Sequence, residues 1–456
     1  MDVSAGHAAH PIRVSVRALE SDLSPADLLS RVGGDGAVVL TGNWAGGGAL
    51  VATDPVEVVE NAPDPFAVLA TAHRIDGDVP PGVVGGGWFG WLSFAAGRDM
   101  RDPSGVPSSR WAFYPNVLRF DSGSRRWFDE ALLGVVGDAE LERRRAELAG
   151  RLRTRAPRAQ QATAGSFTSL TSRARYVAAI EACIEHIRAG DVYQANICLG
   201  LRAEVTGPGA VLHERLVRAL EPSFGAYFET APVTVASASP ELFLRRRGRR
   251  VISSPIKGTR PRPVDPAAAA EESERLRASA KDRAENVMIV DMVRNDLARV
   301  AATGSVLVPD LLRLESHPGV WHLVSDVTAT LRDDATDADL LCATFPPGSV
   351  TGAPKVRALQ IIDELERSPR GLYTGAIGYR SPVAGLELSV TIRTLEIVDG
   401  TARLGAGAGI TAGSQPAEEW WECFDKARPI VSALGARIAT EGARRPHDPA
   451  TPLVAP

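Results

Sequence analysis

The chain has 456 residues, 44% of them hydrophobic and 23% charged, with a formal net charge of −4. That composition fits a globular protein with a full-sized core. It gives no support to a nucleic-acid binder held by bulk positive charge, and no stretch is apolar for long enough to span a membrane. Four cysteines (Cys183, Cys198, Cys342 and Cys423) without CxxC spacing argue against a disulfide framework or a zinc site, so a reducing, cytoplasmic setting is expected.

Residues 1–150 alternate short apolar runs with Gly-rich breaks, and the pattern predicts mostly β structure, with strands such as 37–40 and 87–92. A Glu, Leu and Arg-rich segment predicts a helix over 139–153. The polar stretch 154–169 reads as a linker or long surface loop. A second helix is predicted over 173–189, from the spacing of Tyr176, Ala179, Ile180, Cys183 and Ile187, stopping at Gly190. Strand-like runs follow at 194–201, 225–229, 233–238, 241–246 and 251–256. The arginines between 245 and 250 read as a solvated hairpin tip. Long helical patterns cover 268–300 and 416–437, and the Pro-rich segment 441–456 reads as a disordered tail. Strands without a βαβ rhythm point to an α+β protein with large antiparallel sheets.

Only four of the 51 basic residues are lysines, Lys257, Lys281, Lys355 and Lys426, all beyond residue 250. Lysine offers a compact amine that can lose its proton, which arginine does not. If the turn between two strands centres on Arg249, Glu241 and Lys257 are equidistant from it. They would then be either an acid and an amine in one site or a plain cross-strand ion pair. Asp282 and Glu285 are spaced i, i+3 on one helical pattern. Glu419, Glu422 and Lys426 are spaced i, i+3, i+7 on another. Such faces suit a hard divalent cation held by oxygen, or are two ordinary solvated helices. The loop ending in Lys355 lacks P-loop spacing but could offer N–H groups to an anion. Gly405 to Gly409 reads as a second Gly-rich turn, with Ser414 as cap of the next helix.

Several segments in order carry a resemblance. They are Gly190-Asp191-Val192-Tyr193-Gln194-Ala195-Asn196, Ser239-Pro240-Glu241, Pro255-Ile256-Lys257-Gly258-Thr259, Glu285 to Asp296, Gly348 to Lys355, Gly407-Ala408-Gly409-Ile410 and Glu419 to Lys426. Over roughly 173–437 the sequence resembles the chorismate-utilising enzyme family. The lysine in the Pro-Ile-Lys-Gly-Thr segment is similar to the aminodeoxychorismate synthase component I branch; anthranilate synthase component I typically carries Ala there. The resemblance implies an α+β sandwich of two large antiparallel sheets with helices outside. Residues 1–165 would form its N-terminal part and 166–440 its chorismate-binding catalytic part. It implies amination of chorismate at C4 with ammonia from a glutamine amidotransferase partner. Amination at C2, as in anthranilate synthase, and a non-catalytic chorismate sensor are the alternatives.

The same resemblance implies roles for residues of this chain. Mg2+ would be held by Glu285 and Glu422, with Glu419 and Asp282 nearby, and would clamp the ring carboxylate. Lys426 and the N–H groups of Gly407, Ala408 and Gly409 would complete that carboxylate site. Arg393 and Tyr373 would bind the enolpyruvyl side, and Thr351 and the active-site His322 would line the pocket. Glu241 would be the general acid and Lys257 the nucleophile. Val39-Leu40-Thr41-Gly42 stands where tryptophan-inhibited relatives carry Leu-Leu-Glu-Ser, so tryptophan inhibition is not expected.

Overall fold

The computed structural model describes residues 11–29, 31–70, 75–98, 105–153 and 161–439. The tail expected at 441–456 lies outside the described residues. Strand pairing among the described residues builds two almost wholly antiparallel sheets, of 14 and 10 strands. The larger runs from Arg13–Leu19 through Arg126–Leu133, Asn116–Asp121, Gly48–Ala52 and Ala37–Gly42. It continues through Phe224–Glu229, Val233–Ser239, Thr394–Val398, Thr401–Ile410 and Gln194–Thr206 to Phe167–Ser169 and Ile438–Ala439. The smaller runs from Ile256–Pro261 through Val320–Thr330, Arg250–Ser254, Leu242–Arg247, Gly385–Val390 and Ala376–Ser381. It ends on Gly87–Leu92, Ser109–Tyr114 and Glu57–Glu60. Strands from the first 165 residues thus join both sheets.

Period-two alternation explains the layering. In Ala37–Gly42, Val38 and Leu40 face a cluster shared by the two sheets, while Ala37 and Val39 face the helices outside. A strand buried on both faces reads as an unbroken apolar run, as this one does. The inter-sheet layer is aromatic: Trp44 meets Phe224 at 5.1 Å, and Trp91 of the smaller sheet meets Phe228 of the larger at 5.8 Å. Outside the large sheet pack Arg173–Arg188, Gly209–Leu220, Lys355–Leu365 and Pro416–Ala433; outside the small sheet pack Ala280–Ala298 and Asp337–Thr344. Among the described residues no helix is long and apolar enough to cross a membrane.

Four expectations change. The pattern over 268–300 is two helices, Pro266–Ala278 and Ala280–Ala298. Ser279 has extended backbone between them and its hydroxyl accepts from Asp282 N–H, so it caps the second helix. Part of the expected linker is sheet: Thr163–Ala164 and Phe167–Ser169 both pair with Gln194–Thr206. Gly405 to Gly409 is no turn but the middle of strand Thr401–Ile410. The last long helix is Pro416–Ala433, with Gln415 at its N-cap; the Ser414 hydroxyl instead accepts from Thr411 N–H.

Candidate active site

A glycine ladder lies at the centre of the candidate site. Gly405, Gly407 and Gly409 alternate along Thr401–Ile410, so their missing side chains all fall on one face. A Cβ at Gly405 would stand 2.2 Å from the Tyr373 ring. One at Gly407 would stand 2.9 Å from both the Tyr373 hydroxyl and Asn196 Nδ2, and one at Gly409 2.0 Å from Gln194 Nε2 and 3.3 Å from Lys257 Nζ. Only glycine lets these polar groups meet the strand. Asn196 sends its N–H to the Thr351 carbonyl and Cys198 sends its N–H to Glu366, both away from the paired glycine strand. By antiparallel alternation the N–H groups of Gly409 and Gly407 point to the open edge of that strand, while that of Ala408 is turned into the ladder. Of the three N–H groups expected at a carboxylate, two are therefore free to serve. The Gly407 carbonyl accepts from Lys426 Nζ at 2.8 Å.

Glu241 and Lys257 meet by a different route from the one their spacing suggests. The hairpin pairs Arg247 with Arg250, then a bulge shifts the register so that Leu242 opposes Ser254. The chain starts a new strand at Ile256, which pairs with Val324 instead. Lys257 is therefore not opposite Glu241, and among the described residues Lys257 forms no ion pair. Glu241 is 3% exposed and accepts a short hydrogen bond from the Ser349 hydroxyl. Burial, against the pull of Ser349 and Lys257, pushes its carboxyl up to about 7. Lys257 is half-buried; desolvation, opposed by Glu285 and reinforced by Lys426, holds its amine below the usual lysine range.

His322 is buried on Val320–Thr330. Its Nδ1 lies 2.9 Å from the Thr259 hydroxyl, its ring packs 5.2 Å from His317, and its Nε2 has no partner. Burial, with Arg393 and His317 adding to it, keeps the imidazole neutral. Arg393 sits at φ +52°, and desolvation lowers its guanidinium. Thr351 is buried, its hydroxyl donating back to the carbonyls of Pro347 and Gly348.

The acidic groups arrive from two helices. Glu285 on Ala280–Ala298 is raised by burial despite Lys257, and its Oε1 is buried without a hydrogen-bond partner. Glu419 on Pro416–Ala433 is 4% exposed and likewise raised by burial, against a hydrogen bond with Ser414. Glu422 pairs with Lys426 at 2.8 Å; desolvation works against both charges, and the pairing outweighs it. Glu285 Oε1 has only a long contact with Lys281 Nζ, at 3.8 Å, so oxygen-only acceptors with one buried carboxylate oxygen outside any hydrogen bond fit a hard cation in kind. Among the described residues, no three His, Cys, Asp or Glu groups converge to hold one unaided.

The sequence matches the family described as chorismate binding enzyme over residues 48–432, which starts well before the 173–437 segment that carried the resemblance. The chain belongs to that family. It is 39% identical over 378 residues to an aminodeoxychorismate synthase of Streptomyces griseus, covering 79% of this chain and 51% of that one. It is 45% identical over 248 residues to aminodeoxychorismate synthase component 1 of Salmonella typhimurium, covering 54% of this chain and 55% of that one. The chain spans about half the length of these curated relatives. The solved structure of anthranilate synthase component I from Streptococcus pneumoniae superposes with a TM-score of 0.72 at 25% identity, covering 94% of each chain.

In this family member the cleft also uses residues that no spacing singled out. Ser349 holds Glu241, and Gln194 Oε1 and Asn196 Nδ2 are buried without partners. The available signal was a strand on which residue 196 opposes Gly409 and residue 194, two along, shares its face. Lys355 does not serve an anion: it is bound to Asp296 and the Thr344 carbonyl, both at 2.6 Å, and so ties its loop to the long helix. The Arg run is only partly a solvated tip, since Arg245 pairs with buried Glu387 and Arg246 with buried Asp337.

Proposed function

We propose that this chain converts chorismate to 4-amino-4-deoxychorismate, with ammonia supplied by a separate glutamine amidotransferase, as a step toward p-aminobenzoate and folate. The observation that carries the reading is Lys257, a half-buried amine with a lowered pKa, free of any ion pair among the described residues, standing over Gly409 within electrostatic reach of Glu241. The names of the Streptomyces griseus and Salmonella typhimurium relatives support it. No glutaminase nucleophile elbow surrounds any of the four cysteines, so the proposal draws its ammonia from outside residues 1–456.

In this reading the neutral Lys257 Nζ forms a bond to ring C2. The two ring double bonds shift toward C4, and the C4–O bond breaks. Protonated Glu241 gives its proton to the departing hydroxyl, which leaves as water. Ammonia then bonds to C4, the double bonds return, the C2–N bond breaks to release Lys257 as a neutral amine, and the new C4 ammonium returns a proton to the Glu241 carboxylate. Arg393 grips the enolpyruvyl carboxylate through its planar fork. Neutral His322 presents Nε2 to the substrate. The Gly407 and Gly409 N–H groups and Lys426 face the ring carboxylate. Mg2+ belongs to the proposal: Glu285 and Glu422, with Glu419, would hold it, and it would offset the charge of the ring carboxylate.

The test is product identification by mass spectrometry with chorismate, Mg2+ and ammonium. 4-Amino-4-deoxychorismate is expected. Anthranilate would favour the second reading, which rests on the likeness to the Streptococcus pneumoniae structure. Chorismate bound but never consumed would make the chain a sensor.

A further inference from the structure

We infer that Asn196 is a substrate-contacting, specificity-determining residue, donating from Nδ2 to the enolpyruvyl carboxylate of chorismate beside the Tyr373 hydroxyl. The inference rests on chorismate being the substrate. Asn196 is 6% exposed, and its Nδ2 is buried with no hydrogen-bond partner. Native proteins rarely leave a buried donor unmade, because it has given up water for nothing. Here the donor is aimed at the strip above Gly407, the spot that the Tyr373 hydroxyl also approaches.

The backbone of Asn196 is held on both sides. Its N–H donates to the Thr351 carbonyl at 2.6 Å, and its carbonyl accepts from Arg370 Nη2 at 2.6 Å. Arg370 in turn binds both Glu366 oxygens, the Val350 carbonyl and the Thr374 hydroxyl, and lies 4.3 Å over the Phe94 ring. The backbone that carries the amide is thus fixed before any ligand arrives, which limits the reordering a site needs to recognise an acceptor.

Spacing selects the acceptor. Lys257 stands over Gly409, and Asn196 and Tyr373 stand over Gly407, two residues along the same strand. Two strand residues span about 6.8 Å. That spacing is nearer the reach from ring C2, through the C3 ether, to the enolpyruvyl carboxylate than the reach to the ring carboxylate, which is only two bonds from C2. Two neutral donors converging on one point suit a carboxylate oxygen better than a cation or an apolar group.

The test compares Asn196→Leu with the wild type by calorimetric binding of two ligands. One is chorismate; the other is trans-3,4-dihydroxycyclohexadiene carboxylate, the same ring without its enolpyruvyl group. Chorismate affinity should fall about 10-fold or more, and that of the diol by less than about 2-fold. The melting temperature should hold or rise, since an unpaired buried donor has been removed. Asn196→Ser, with a side chain too short to reach, should repeat the pattern if the leucine variant does not fold. Wild-type affinity in the variants, or equal losses for both ligands, overturns the inference. A wild-type chain that does not bind chorismate overturns the substrate reading instead. A wild-type product of anthranilate overturns only the C4 assignment.

Discussion

In the layer between the two sheets, the polar tips of the aromatic side chains are paired. Trp44 Nε1 donates to the Gly225 carbonyl, Trp91 Nε1 to Pro107, Tyr114 to Gly36 and Tyr379 to Glu387. Around the glycine strand the opposite holds. Gln194 Oε1, Asn196 Nδ2 and His322 Nε2 are buried without hydrogen-bond partners, and Glu285 Oε1 has only a long 3.8 Å contact with Lys281 Nζ. Both regions are drawn from the same two sheets and both are largely closed to water. The difference is that the first is finished by folding alone, whereas the second leaves hydrogen bonds for something else to make. Unpaired buried groups cost stability, and a site bears that cost where a ligand repays it.

Substitutions in the two regions should therefore separate activity from stability. The largest effect is expected for Lys257→Ala, a loss of about 1,000-fold or more in kcat with chorismate affinity within a few-fold of wild type. Stopped assays for product, paired with calorimetric binding, check it; unchanged turnover would remove the nucleophile from the scheme. Next comes Glu241→Gln, with a loss of about 100-fold or more in kcat. Because burial pushes Glu241 up to about 7, its acid form prevails below that pH and is lost as pH rises through it. The wild-type rate should carry an alkaline limb near pH 7 that the variant lacks, read from a pH–kcat profile. The same buried carboxyl favours the fold below its unfolded value near 4.5 and less so as pH rises through about 7, so Glu241→Gln should be the more stable protein at pH 8.

Gly405→Ala forces a methyl group to within 2.2 Å of the Tyr373 ring. About 1–3 kcal/mol of stability should be lost together with about 10-fold in kcat/KM, because the ring must move from the substrate. The smallest effect is expected in the inter-sheet layer. Tyr379→Phe removes one hydrogen bond to Glu387, which keeps Arg245, and should cost about 1 kcal/mol in urea unfolding with kcat unchanged. A drop in kcat there would mean that the two regions are coupled and the contrast is not real.

Much of this was legible one residue at a time. The apolar run at 37–40 foretold a strand, and Gly190 foretold the end of the helix Arg173–Arg188. Other features were hidden because they depend on contacts far apart in the chain. The break at Ser279 makes room for Gly258, whose added Cβ would touch Leu276 and Asp282 at 3.1 Å, one from each helix. Nothing in the periodicity of 268–300 carries that information. The glycine triplet looked like a turn because local glycine usually means one. It is a strand because Tyr373, Asn196, Gln194 and Lys257 need its bare face.

The sequence by itself determined the family, the α+β class, and the residue types that a carboxylate-bearing substrate and a covalent amine step would need. Motifs at ordered separations survive in one dimension because the chemistry demands particular side chains. Only the tertiary structure decided how those residues meet. It put Glu241 and Lys257 on different strands through a bulge, set Lys355 against Asp296, and left Asn196 and Gln194 facing a glycine strand. Register, bulges and hydrogen-bond satisfaction are settled between distant segments, and no local pattern encodes them.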